Sequence, residues 1–152
     1  AVEGAVIGGS ARLEINTGTT ALPVWKKIKD EVKIEIQRTN KTVERLNKDI
    51  GDHESHVKVR LGTKITVTAQ ENALPGTNFI AFGDIWAMAE KTYRDAGKGE
   101  YEVRVLPTDT GLTSLTGTAL ILNPTQPYPV DEIVEYTFEV QFITKPTAAE
   151  VA

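Results

Sequence analysis

The run over residues 133–144 constrains this chain most, because Val134, Tyr136, Phe138, Val140 and Phe142 alternate there with Glu135, Thr137, Glu139 and Gln141. A period of two puts each apolar side chain on one face of an extended strand and each polar one on the other. Such a strand needs a sheet with one dry and one wet face. The pattern recurs upstream. Residues 12–15 alternate, Val32, Ile34 and Ile36 interleave with Lys33 and Glu35, and Val57, Val59 and Leu61 precede Ile65, Val67 and Ala69. The last two runs meet near Gly62, which predicts one long strand with a glycine bulge or two short ones. Further strands are predicted over 101–106 and about 115–122. The polar faces of these strands supply Lys33, Glu35, Lys58, Arg60, Glu135, Glu139 and Gln141 as candidate wet-face residues.

Between the strands lie three different kinds of segment. Residues 38–58 are polar, mixed in charge and weakly patterned, which predicts a long hairpin loop, and connections of that length are usually functional. Residues 84–95 are the one predicted helix. Phe82, Ile85, Trp86, Ala89 and Tyr93 fall on helical spacing with Met88 at the stripe's edge, Asp84 can cap the start, and Gly97 supplies the stop. A stripe of this kind packs on a sheet more readily than it lines a ligand box. Residues 1–11 and 146–152 are small and unpatterned, so they read as flexible arms around a domain spanning 12–145. Three prolines within 123–129 break the chain before the last strand.

Composition excludes several classes of function. The chain has 152 residues, enough for one core, and 17 basic against 21 acidic residues leave it at −4, with no cationic excess to neutralise phosphates. It has no cysteine, which removes disulfides, thiolate zinc sites and cysteine nucleophiles together. No apolar run approaches the ~20 residues that cross a bilayer, and the opening AVEGAVIGGSA carries an acid where a signal peptide carries basic charge.

Candidate chemistry is sparse. His53 and His56 sit in the polar segment without a third imidazole or a thiol, so a solvated loop explains them better than a metal site. The GAVIGGS run at 4–10 lacks the lysine and the strand–helix frame of a phosphate loop. Asp30-Glu31 and Asp131-Glu132 are sequence neighbours, whose side chains diverge on a strand and make no acid–base dyad. Ser10, Ser55 and Ser114 lie in no nucleophile motif, and Asn40-Lys41-Thr42 is a glycosylation sequon only in form. The expectation is a non-enzymatic protein without cofactor or metal.

Element order carries a resemblance. Leu13-Glu14-Ile15-Asn16-Thr17 ends an early strand and is followed by Trp25-Lys26-Lys27-Ile28, the strand at 32–36, and Asn47-Lys48-Asp49 in the polar segment. One helix then separates the two groups of strands, and Tyr136-Thr137-Phe138-Glu139-Val140 closes the domain. This order resembles the tail-tube proteins of siphophages, in particular the group of phage TP901-1 type major tail proteins. The short stretch before the first strand departs from that group, because it lacks the aspartate its members often carry.

The resemblance implies a mostly β (α+β) fold, a two-sheet antiparallel β-sandwich with one flanking helix. It also implies six copies per ring, an inner β-barrel of four strands per subunit, and rings stacked into a hollow tube. Lys41, Glu44, Arg45, Lys48, Asp49 and Asp52, with the arms, would make the contacts between subunits and rings, and the wet faces would line the lumen. Implied partners are a tape measure protein in the lumen, a tail terminator and distal tail or baseplate proteins, with DNA passing through unbound. The protein would be made in the host cytoplasm and reside in the virion. A contractile-tail tube and a surface or secreted ligand-binding β-sandwich stay open as alternatives.

Overall fold

The computed structural model describes residues 11–19, 21–45, 55–74, 76–107 and 112–150. The described residues form nine strands: β1 (Ala11–Asn16), β2 (Trp25–Ile28), β3 (Glu31–Arg45), β4 (Ser55–Gln70), β5 (Phe79–Ile80), β6 (Glu100–Pro107), β7 (Thr113–Thr125), β8 (Glu135–Phe142) and β9 (Thr147–Glu150). Helix α1 (Phe82–Glu90) and a short 3-10 turn (Ala96–Gly99) connect β5 to β6.

All nine strands belong to one hydrogen-bonded sheet in the order β3-β4-β8-β7-β6-β1-β2-β5, with β9 also on β7. The β2–β5 pair is parallel and the others are antiparallel. The fold is therefore a single mixed sheet that does not close, where the resemblance implies a two-sheet antiparallel sandwich. The reason lies in β7. Its first half pairs with β6 and β9, from Thr113 to Leu120, and its second half pairs with β8, from Ala119 to Thr125, so one strand belongs to both halves of the sheet. Alternation reveals which face of a strand is dry but not which strand is shared.

The curled sheet encloses one core. Leu13, Ile15 and Val103 from one half meet Ile65, Val67, Phe138 and Val140 from the other, all fully buried. Ile85 of α1 closes this core, with Phe82, Met88 and Ala89 half-buried beside it. The Phe82 ring lies 5.4 Å from Tyr136 and 5.8 Å from Trp86. The helix begins at Phe82, two residues earlier than predicted, because Asp84 sits at the third helical position and its carboxylate accepts the Ala81 N–H at 3.2 Å. It ends at Glu90, where Lys91 turns extended, so Tyr93 lies beyond the helix and is 73% exposed.

The segment predicted as a loop is mostly strand. β3 runs to Arg45 and β4 begins at Ser55, and their ladder continues from Arg38↔Thr63 to Arg45↔Ser55 beyond the end of β8. Both faces of this two-stranded ribbon lie outside the core, so its sequence has no reason to alternate. Polarity there reports exposure rather than absence of structure. Gly62 stays in register opposite Thr39, and a Cβ on it would sit 2.5 Å from the Thr39 hydroxyl. The irregularity lies nearby, where Lys41 pairs with Arg60 and Thr42 with Lys58. The predicted C-terminal tail also gains structure, since Thr147–Glu150 form β9 on the edge of β7.

Gly117 lies under the crossing from β8 to β9. A Cβ there would meet the Phe142 ring at 3.0 Å and the Pro146 Cα at 3.2 Å. Gly117→Val is expected to destabilise the fold by about 1–3 kcal/mol through overpacking, read as a lower urea midpoint with unchanged slope.

Candidate functional site

Three strands set the wet face in rows. Register aligns Lys33 with Thr68 and Thr137, Glu35 with Thr66 and Glu139, and Gln37 with Lys64 and Gln141. Directly opposite residues share a face, so these polar side chains form one surface on the side away from Ile65, Val67, Phe138 and Val140. Six of the predicted wet-face residues, Lys33, Glu35, Arg60, Glu135, Glu139 and Gln141, fall on it together. Lys58 and Arg60 do not share a face, because the register shift sets them opposite the neighbouring residues Thr42 and Lys41.

The rows are tied by charge and hydrogen bonds. Lys64 Nζ lies 2.6 Å from Glu139 Oε1, and Asn123 Nδ2 donates to the other carboxylate oxygen at 2.9 Å. The lysine bond, with Asn123 second, holds the Glu139 carboxyl below its ordinary pKa. Gln37 Nε2 donates to Glu35 at 2.9 Å, and Lys33 Nζ is 3.8 Å from the same carboxylate. Gln141 Nε2 donates to the Thr63 carbonyl at 3.1 Å, and the Thr68 and Thr137 hydroxyls are 3.4 Å apart. Lys33, Lys41, Arg60 and Lys64 face Glu35, Glu135 and Glu139 here, so the acidic excess of the whole chain is not concentrated on this surface.

The projecting ribbon carries part of the predicted contact set. Lys41 and Glu44 are exposed on β3 and Arg45 ends it. Lys48, Asp49, Asp52 and His53 lie outside the described residues, as does most of the predicted N-terminal arm. Val43 and Val57 face each other across the ribbon at 50% and 42% exposure, an apolar pair that the predicted loop does not reveal. His56 is on β4, opposite Glu44. Among the described residues no cluster of three or more His, Asp or Glu is placed to hold a metal.

Two features escape sequence reasoning. The first is the open seam where β3 starts beside β1. Glu31 accepts the Leu13 N–H at 3.2 Å and Arg12 donates to the Ile28 carbonyl at 2.6 Å, bridging a cleft of about 560 Å³ walled by Ile34, Ile36, Phe79 and Val105. The second is on β1, buried on both faces. Its Glu14 takes Arg104 Nε at 2.6 Å while the Arg104 guanidinium stacks 4.1 Å above Trp25. The pairing that makes an acid tolerable inside comes from a strand 90 positions away.

The chain's edges complete the geometry. Among the described residues, no strand pairs with the outer side of the 15-residue β3, and β7 beyond Ile121 has β8 on one side only. Pro124 and the left-handed Asn123 (φ 52°) fall in this free stretch, at a register shift, where a missing N–H is tolerated.

Comparison with solved structures gives matches over nearly the whole chain. A subunit from the tail of an empty gene transfer agent particle, refined with C6 helical symmetry, superposes with a TM-score of 0.66 at 14% identity, covering 97% of this chain and 100% of that one. The SPP1 tail tube gives 0.66 at 14% identity, over 97% of this chain and 81% of that one. The fold is one found in phage tail tubes. A sheath–tube complex of an extracellular contractile injection system in its extended state also matches, with a TM-score of 0.65 at 12% identity, over 99% of this chain and 95% of that one. No protein-family model matches the chain, and curated protein sequences give no significant match.

Burial raises the Glu31 carboxyl from 4.5 to about 7, against the opposing pull of the Leu13 N–H and Arg12. The folded state therefore holds this proton more tightly than the unfolded chain, a contribution present below pH 4.5 and lost as pH rises through about 7. Glu31→Gln keeps an acceptor for Leu13 and removes the titration. Its thermal midpoint is expected to exceed that of the wild type at about pH 8 and to vary less between there and about pH 5.

Proposed function

We propose that this chain is a structural subunit that polymerises as stacked hexameric rings into a phage tail tube, the conduit for DNA ejection. The observation that carries this reading is the near-complete overlap with tail and tube subunits of three assemblies, together with two free sheet edges on one subunit. A 15-residue edge strand left bare would invite uncontrolled pairing, whereas pairing β3 of one copy with the open half of β7 of the next closes both edges in a ring. Four strands from each copy then contribute to an inner barrel whose lumen is the wet face. Its near-balanced charges, paired at Lys33–Glu35 and Lys64–Glu139, offer DNA no continuous cationic track, which suits passage without specific binding.

The same reading assigns the ribbon, with Lys41, Glu44 and Arg45, and the segment bearing Lys48, Asp49 and Asp52, to contacts between subunits and rings. A tape measure protein would fill the lumen, with a terminator and distal tail or baseplate proteins at the ends. The likeness to a contractile injection system's sheath–tube complex favours a second reading, in which a sheath surrounds the tube. The two share the ring architecture and differ in the outer surface.

Electron microscopy of the concentrated protein tests the proposal, with hollow tubes or six-fold rings as the expected result and a strict monomer overturning it. Joining Arg38 to Thr63 through an Asn-Gly turn removes the ribbon and leaves every buried core residue in place. That variant is expected to stay folded by circular dichroism and to form no tubes.

A further inference from the structure

The two ends of the β3-β4-β8 sheet carry opposite charge. Among the described residues of the ribbon, Arg38, Lys41, Lys58 and Arg60 stand against Glu44. Lys41 and Arg60 face each other directly, a like-charged cross-strand pair that is destabilising unless a partner brings negative charge. The exposed Val43–Val57 pair follows on the same ribbon, across the register shift.

At the far end, where Gln70 pairs with Glu135, the chain turns through Val130-Asp131-Glu132-Ile133. Val130 and Ile133 are 86% and 66% exposed around two exposed acids. This turn is anchored to the sheet end, because the Glu71 N–H donates to the Val134 carbonyl at 2.8 Å and Gln126 hydrogen-bonds the Glu71 carboxylate. Asp30, Glu71 and Glu135 add negative charge at the same sheet end, where Lys29 and Lys33 also lie.

The geometry points to a head-to-tail contact in which the Lys41–Arg60 and Val43–Val57 pairs of one copy's ribbon seat on the Val130–Ile133 turn of a second copy. This rests on the tube reading and names the surface the ribbon meets. Each patch joins two aliphatic side chains to two charges, and the charges are opposite in sign. The patches lie at opposite ends of the sheet, so a subunit cannot satisfy the contact within itself, and copies stacked end to end in one direction repeat it. Heterologous contacts of this kind propagate, adding copies in one direction.

A charge exchange tests the contact. Lys41→Glu with Arg60→Glu, and separately Asp131→Asn with Glu132→Lys, are each expected to lower sedimentable polymer about tenfold at ~0.1 M salt. Asparagine is chosen at 131 because that residue has φ 65°. Combining all four substitutions is expected to restore polymer, a recovery that loss of folding cannot imitate. The milder pair Lys41→Gln and Arg60→Gln is expected to weaken polymerisation in the same direction.

Wild-type-like polymer from the ribbon variants would assign the ribbon to some other protein and overturn the contact while leaving the tube reading standing. Failure of the fourfold variant to recover, with each protein folded by circular dichroism, also overturns it. A wild-type chain that never polymerises removes both the contact and the reading beneath it.

Discussion

The rest of the molecule depends on β7 serving two neighbours in succession. Its first half holds β6 and β9, its second half holds β8, and the change of partner lets a single sheet wrap around Ile85, Phe138 and the aliphatics of β1 and β4. A strand that kept one pair of partners along its length would give a flatter sheet with one face bare. Gly117 makes the transition possible, because the Phe142 ring and Pro146 occupy the space a side chain would take. Core, seam and free edges all follow from that exchange.

Much of this was legible in the sequence wherever one face of a strand met the core. The alternation from Val134 to Phe142 gave β8 within two residues, and Ile65, Val67 and Ala69 are buried as their pattern requires. Burial writes a period into the chain. The ribbon shows the converse, since Lys41, Thr42 and Arg60 are held by a backbone ladder that needs no particular side chains. Pairing in the absence of burial leaves almost no trace. The helix end was misplaced for a related reason: Tyr93 fits the helical spacing, but it has no core to pack on and Lys91 has already left the helix.

The candidate site was legible in part, again for a physical cause. Lys33, Glu35, Glu139 and Gln141 follow from alternation alone, whereas Lys64–Glu139 and Glu14–Arg104 depend on which strands are adjacent, a long-range fact. One extra residue between Lys58 and Arg60 then reverses the facing of everything beyond it. Whole-chain charge proved a poor guide to local field. On the β3-β4-β8 sheet Glu71, Asp131, Glu132 and Glu135 stand at one end and Arg38, Lys41, Lys58 and Arg60 along the ribbon, and a sum over residues erases that separation.

The extra residue of β3 between Glu31 and Lys33 has a further consequence. A flat edge accepts an incoming strand equally well after any slide of two residues, so a long bare edge is prone to slipped dimers and tangled aggregates. The interruption near the start of β3 makes the edge aperiodic, and a slipped partner loses bonds there. The edge therefore works like a key with one notch: it favours one alignment over its neighbours before any side chain is read.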